Sequence, residues 1–407
     1  MFARSTDTLR RAAGLLVTVS ITLSATLIAA CGGGGGGLTA DSATAYAAGP
    51  ITGFGSIIVN GIRFDDSSAS VLDDDDNSHD RSELRLGMMV EVSGQGMDRA
   101  AGNAHALRIR FGSEIVGPIN SINANAGTLV VLGQTVEITP TTVFDDSIAG
   151  GLAGLAERDV IEVHAQFNAG TGHYIAKRVE AKPGATVFKL RGLVSNLDST
   201  AKTFTIGSEV INYAGIAAAD LPANLTNDQR VRVRLQTTKN ASNQWVAIQV
   251  RSGERRVDDH DDAEVRGTIN AFTSVTEFEV NGLKVNAAGA TFDDGTAGVA
   301  LGAQVEVEGR VVDGVLVARK VELEGHDDGD DGDRSHNHNG FELHGLVSEL
   351  NATAKTFRLR GVTVSYAGPV LFKDGSEADL ANDRQVEVKG VLSTDGTQVV
   401  ATEIDFE

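Results

Sequence analysis

From residue 49 onward the chain alternates apolar and polar positions in short runs, the period-two signature of strands with one buried face. The runs recur as a set. An opening Gly-x-Ile/Val stands at Gly49-Pro50-Ile51, Gly117-Pro118-Ile119, Gly192-Leu193-Val194, Gly267-Thr268-Ile269 and Gly345-Leu346-Val347. Alternating apolar residues then run into Gly, as in Ile57 to Gly61, Leu129 to Gly133, Phe204 to Gly207, Phe278 to Gly282 and Phe357 to Gly361. A valine-rich strand follows at Val90-Glu91-Val92, Ile161-Glu162-Val163, Val231-Arg232-Val233, Val305-Glu306-Val307 and Val386-Glu387-Val388. Each copy closes with Ala and an aliphatic residue three positions on: Ala106 and Ile109, Ala176 and Val179, Ala247 and Val250, Ala318 and Val321, Ala401 and Ile404. Self-similarity at this spacing marks a repeat protein. The copies span residues 49–114, 115–185, 186–256, 263–324 and 341–407, with short acidic linkers expected at 257–262 and 325–340.

The pattern predicts an all-β chain. Asn60-Gly61 and Asn281-Gly282, flanked by alternating apolar residues, predict two-residue hairpins, because both turn positions need positive φ. A Phe-Asp element follows at Phe144-Asp145-Asp146, Phe292-Asp293-Asp294 and, more loosely, Phe372-Lys373-Asp374. Helical character is expected over 148–158 and 217–228. Strand, hairpin, short turn or helix, strand and strand is the order of a small Greek-key barrel of the OB type, with an open β-sandwich as the alternative. Closure would also remove the exposed edges that five tandem sheets otherwise carry. In two copies Ala165 and Leu235 replace the glycine that ends the valine-rich strand elsewhere.

The first thirty residues break this pattern. Arg4, Arg10 and Arg11 precede an apolar stretch from Ala12 to Ala30, the layout of a secretory signal, and an uncleaved anchor is the competing reading. Its end, Leu27-Ile28-Ala29-Ala30-Cys31, resembles the lipobox of bacterial lipoproteins, which implies lipidation of Cys31, the sole cysteine in the chain. Gly32 to Gly37 and the small residues to Ala48 then read as a flexible tether over 31–48. Gly32 beside the cysteine points to the outer membrane over the inner, with the chain facing periplasm or cell surface. The repeats themselves resemble a bacterial family of envelope lipoproteins built of domain of unknown function 5666, in the Gly-x-Ile openings, the Val-Asn-Gly hairpin, Val-Glu-Val-x-Gly and the closing Ala-x-x-Val. That resemblance implies no activity, substrate or catalytic residue.

Composition narrows the function classes. A net charge of −20 opposes non-specific binding to nucleic acid. One cysteine allows no internal disulfide and no cysteine-based zinc site. Nucleophile motifs, phosphate loops and dinucleotide fingerprints are absent from the sequence, so a non-enzymatic binding or spacer protein is expected, with an oligosaccharide-binding or glycan-processing protein as one alternative. The fourth-strand glutamates Glu91, Glu162, Glu306 and Glu387 are expected to face solvent. Three tracts concentrate Asp and His: Asp73 to Asp76 with His79 and Asp80; Asp258, Asp259, His260, Asp261 and Asp262; and His326, Asp327, Asp328, Asp330, Asp331, Asp333, His336 and His338. Carboxylate and imidazole suit divalent cations, so weak, exchangeable cation binding is the second alternative to solvated linkers. Arg230, Arg232, Arg234, Arg251, Arg255 and Arg256 form the one basic cluster, expected to pair with the neighbouring tract at 258–262. No other cofactor is expected; possible partners are the membrane, envelope proteins and glycans.

Overall fold

In the computed structural model the described residues are 43–254, 257–324 and 340–407. The signal segment, Cys31, the glycine run, Arg255, Arg256 and the tract from His326 to His338 lie outside them. Among the described residues no helix is long and apolar enough to cross a membrane.

All five repeats close into five-stranded barrels. In module 4 the strand His260–Ser274 pairs antiparallel with Glu277–Val280, which pairs with Leu283–Asn286. The last strand, Val315–Leu323, runs parallel to Leu283–Asn286 and antiparallel to Gln304–Val312, which returns to the first strand. The order 1-2-3-5-4-1 leaves no open edge, and modules 1, 2, 3 and 5 repeat it. The open sandwich is therefore excluded. In place of the expected helices, short 3₁₀ turns occupy Gly151–Gly154 and Ala218–Asp220, each too brief to bury a helical stripe. The Phe-Asp elements form a short strand parallel to the end of the last one, as Val143–Phe144, Thr291–Phe292 and Leu371–Lys373.

The recurrent residues sit where the barrel demands them. The central valine of the fourth strand faces the closing aliphatic residue, as Val92 with Ile109 and Val307 with Val321, and these side chains fill the core. The closing alanine lies at a register shift opposite Gly94, Ala165, Leu235, Gly309 or Gly390. A Cβ on Gly309 would stand 2.2 Å from the Val317 carbonyl oxygen. Modules 2 and 3 build the same bulge around Ala165 and Leu235, so their departure from glycine changes packing and not topology. The opening glycine has a separate reason: a Cβ on Gly267 would meet the Asn281 amide at 2.0 Å, where the hairpin tip folds over the first strand.

The barrels cluster as one unit, not as beads on flexible linkers. The first strand of module 1, Thr44–Phe54, is the hub. It pairs parallel with module 4 through Ala45 with Asp262 to Ala48 with Val265, and with module 5 through Gly53 with Glu342 and Phe54 with Leu343. Modules 2 and 3 join by antiparallel pairing of Ile115 with Leu190 and Val116 with Lys189. One core runs through modules 1 and 5 and another through modules 2 and 3, while Tyr46 and Ala48 of module 1 enter the core of module 4. Two expected boundaries change as a result. Residues 44–48, assigned to the tether, are strand, buried on both faces from Ala45 to Ala48, and His260 to Asp262, assigned to a linker, begin the first strand of module 4.

Candidate functional site

With barrel packed on barrel, outward-facing side chains meet a neighbouring module. Glu162, Glu306 and Glu387, expected on a solvated face, lie half-buried in polar seams. Glu162 pairs with Lys182 of its own module at 2.8 Å, and Glu387 accepts from His344 of its own module at 2.6 Å and lies 3.5 Å from Arg63 of module 1.

The most highly charged seam joins modules 1 and 3. Between the short strands Ser70–Asp73 and Ser78–His79, module 1 extends the acidic turn Asp73 to Asp76. Asp73 shapes this turn itself, accepting from the backbone of Asp75 at 2.8 Å and of Asn77 at 2.9 Å, and from the Asn77 side chain at 2.9 Å. Asp74 and Asp75 project into a cradle on the first, fourth and fifth strands of module 3. Arg232 lies 2.5 Å from Asp74 and 2.8 Å from Asp75, with Arg191 at 3.5 Å and Lys189 at 3.6 Å from Asp74. Arg234 and Arg251 reach Asp75 at 3.3 and 3.6 Å. Burial works to raise the Asp74 pKa, but Lys189, Arg232 and Arg191 outweigh it and hold the carboxyl below its ordinary value. Arg232, Arg234 and Arg251 thus pair with a tract about 160 positions or more upstream in sequence and not with the expected neighbour at 258–262, while Arg230 packs over Phe167 and Arg255 and Arg256 lie outside the described residues.

That neighbouring tract serves module 4. Asp259 accepts from the Asp313 backbone at 2.7 Å, and Asp261 caps Thr44 through backbone and hydroxyl at 2.9 Å. Asp262 pairs with Arg99 of module 1 and with Arg319, His260 packs against Tyr46, and the Asp258 carbonyl bonds the His260 ring. In these two tracts the aspartates named here as acceptors face backbone N–H groups, hydroxyls, the Asn77 amide, the His79 ring, the Lys189 ammonium or guanidinium groups, and no cation-ligating group is assembled from them among the described residues.

Arg99 also contacts Glu264 and lies 3.5 Å from Glu308. Glu264 is 2% exposed. Burial first, and then the like charge of Glu306, lift its pKa to about 8 against the pull of Arg99. Burial likewise lifts Glu306 to about 7, although Arg266 opposes it. Arg266 pairs at 2.5 Å with Glu324, and the same two groups bear on Lys177 of module 2, whose pKa burial lowers.

Sequence reasoning did not single out Glu342 and His344, which together with Glu387 bring potential ligand atoms within 4.8 Å of one another. Arg63 of module 1 pairs with Glu342 and lies 3.5 Å from Glu387, and His344 Nδ1 lies 3.0 Å from Glu407. The guanidinium supplies the positive charge that a metal would bring, so this is an ion-pair node between modules 1 and 5. Where modules 1 to 4 meet, Glu114, Gln166 and Arg191 line a void of about 10 Å³, room for one water and too little for a ligand.

A search of known families matches residues 48–110, 116–180, 266–322 and 344–405 to the family described as Domain of unknown function (DUF5666). The chain belongs to that family. The matched segments follow modules 1, 2, 4 and 5, and leave out module 3, which closes the same barrel but carries Arg232 where the other copies carry Glu. A search of curated proteins found no match. Among solved structures, one titled drosophila Unr CSD456 is similar at 17% identity, covering 42% of this chain and 78% of that one with a TM-score of 0.16. At that score the likeness carries no argument about ligand.

Proposed function

We propose that this DUF5666 protein is a lipid-anchored component of a bacterial cell envelope, in which five barrels form a non-enzymatic binding and spacing block. The supporting observation is the way the barrels are joined: pairing on the hub strand, together with half-buried ion pairs of Arg99 and Arg63, ties modules 4 and 5 to module 1. A block of this kind holds surfaces at fixed mutual distance, and multiple fixed sites gain avidity when a partner spans them. The anchor reading rests on Cys31 and the residues before it, and the outer membrane is favoured by Gly32. Expression in a bacterium with labelled fatty acid tests it. The wild type should take up label and sediment with membranes, and Cys31→Ser should do neither; equal membrane association of both proteins overturns the anchor. Small-angle scattering tests the block, since separated beads would give a far larger radius of gyration than packed barrels.

Divalent-cation binding is the second reading, carried by the tract from His326 to His338, whose aspartates and histidines suit such ions. Calorimetric titration of calcium and zinc into the full chain and into a chain lacking 326–338 separates the two readings. Unchanged affinity on deletion removes the tract from consideration.

A further inference from the structure

The cradle of module 3 carries more positive charge than its occupant neutralises. Five cationic side chains, Lys189, Arg191, Arg232, Arg234 and Arg251, face the two carboxylates of Asp74 and Asp75 at 2.5 to 3.6 Å. The buried Nε of Arg234 finds no hydrogen-bond partner among the described residues, so a donor remains for a larger ligand, whereas the Nε of Arg191 faces Glu114. Glu114, 3.7 Å from Arg191, is a further carboxylate on that residue, and Asp76 turns away to Arg110 at 2.7 Å.

The occupant belongs to module 1 but not to its barrel. The turn is held by Asp73 and Asn77, with His79 Nε2 3.3 Å from Asp73, and so keeps its shape without the cradle. The cradle also reads more than charge. Arg232 Nη1 donates to the Asp74 backbone carbonyl at 2.5 Å while its other nitrogen pairs with Asp75. A peptide with adjacent carboxylates offers that combination, whereas a simple anion offers no carbonyl between two acidic groups.

We propose that this face of module 3 is a binding site for an acidic peptide segment with adjacent carboxylates, and that the Asp74–Asp75 turn is its occupant in cis, a plug that a competing acidic segment displaces. The proposal rests on the binding reading above and is independent of the lipid anchor. A tethered occupant competes at millimolar effective concentration, so removing its charge should raise the apparent affinity for a free peptide by about tenfold or more.

The probe is a labelled peptide with the sequence of residues 71–77, Val-Leu-Asp-Asp-Asp-Asp-Asn, titrated into the full chain by fluorescence anisotropy. The double variant Asp74→Asn with Asp75→Asn should bind it at least about tenfold more tightly than the wild type. Adding Arg232→Glu should abolish that binding, and a peptide with Asn for every Asp should not bind. If the double variant does not fold, Asp75→Asn alone carries the test, because it frees Arg234 and Arg251 and one contact of Arg232 while leaving Asp74 in place. Equal affinity of wild type and variant overturns the plug, as does binding that survives Arg232→Glu. Competition by inorganic phosphate at the peptide's own concentration overturns the peptide-specific site. Scattering on the same samples reads the block separately: an unchanged radius of gyration with no peptide binding refutes this site and leaves the packed barrels standing.

Discussion

Replacing Arg99 with Ala removes the cation that module 1 lends to module 4. Arg99 donates to Asp262 at 2.9 Å and to the Ala263 carbonyl at 3.1 Å, contacts Glu264, and lies 3.5 Å from Glu308. Breaking a buried ion pair by removing one partner costs about 3–5 kcal/mol. The Arg99 side chain is 24% exposed, and Glu264, with its pKa lifted to about 8, already carries a proton at neutral pH, so the charge pair broken there is mainly that with Asp262. Those two discounts bring the expected loss to about 2–3 kcal/mol at neutral pH. The pH dependence follows from the raised carboxyls. Folded Glu264 and Glu306 keep protons at pH values where the unfolded chain has released them, so they make stability fall as pH rises from 4.5 toward about 8. Without Arg99 the Glu264 pKa moves higher still, and the loss should be smaller at about pH 5.5 than at about pH 8.5. Urea unfolding of wild type and variant at both pH values measures it. A loss below about 0.5 kcal/mol, or the same loss at both pH values, refutes the reasoning.

Phe357, 1% exposed in the core shared by modules 1 and 5, should cost about 3–5 kcal/mol on truncation to Ala, and calorimetry should show the melting of module 1 shifting along with module 5. Gly309→Val drives a side chain into the Val317 carbonyl oxygen and should destabilise by about 2 kcal/mol or more, whereas Ala165→Gly in module 2 should cost about 1 kcal/mol at most; chemical denaturation compares them. Acid should loosen the seam between modules 1 and 2. Glu180 is held down to about 2 because Arg178 outweighs its burial, so its contribution is present above 4.5 and lost as pH falls toward about 2. Hydrogen exchange along His173–Ala181, where Arg178 also donates to the Leu86 carbonyl at 3.2 Å, should rise over that window and not above it.

The strand order and core of each module were legible because each core position recurs with one buried face, and Val307 opposite Val321 or Val92 opposite Ile109 needs no information from beyond its own module, whereas closure was left open between barrel and sandwich because strand order is the same in both. The arrangement of barrels was not legible, for a reason visible in Ala45 to Ala48. A strand buried on both faces loses its alternation, and a run of small residues after glycines reads as tether. His260 to Asp262 misled through composition: their charges are matched by Arg99 and Arg319, which lie 163 and 57 positions away. The basic cluster of module 3 was visible, and so was the replacement of Glu by Arg232. Its partner was not, because proximity along the chain favoured residues 258–262 over a turn in another module.

The hub strand also determines how the block bears load. The N-terminal end of the chain enters it at Ala43 and Thr44, where the Ala43 carbonyl accepts from Gly96 at 2.9 Å and Thr44 is clasped by Asp261. A pull from that end runs along Thr44–Phe54, across its ladders to Met89–Asp98, to module 4 and to module 5, and loads those bonds in shear together instead of one after another. Force is thereby divided among three barrels before any of them can unravel.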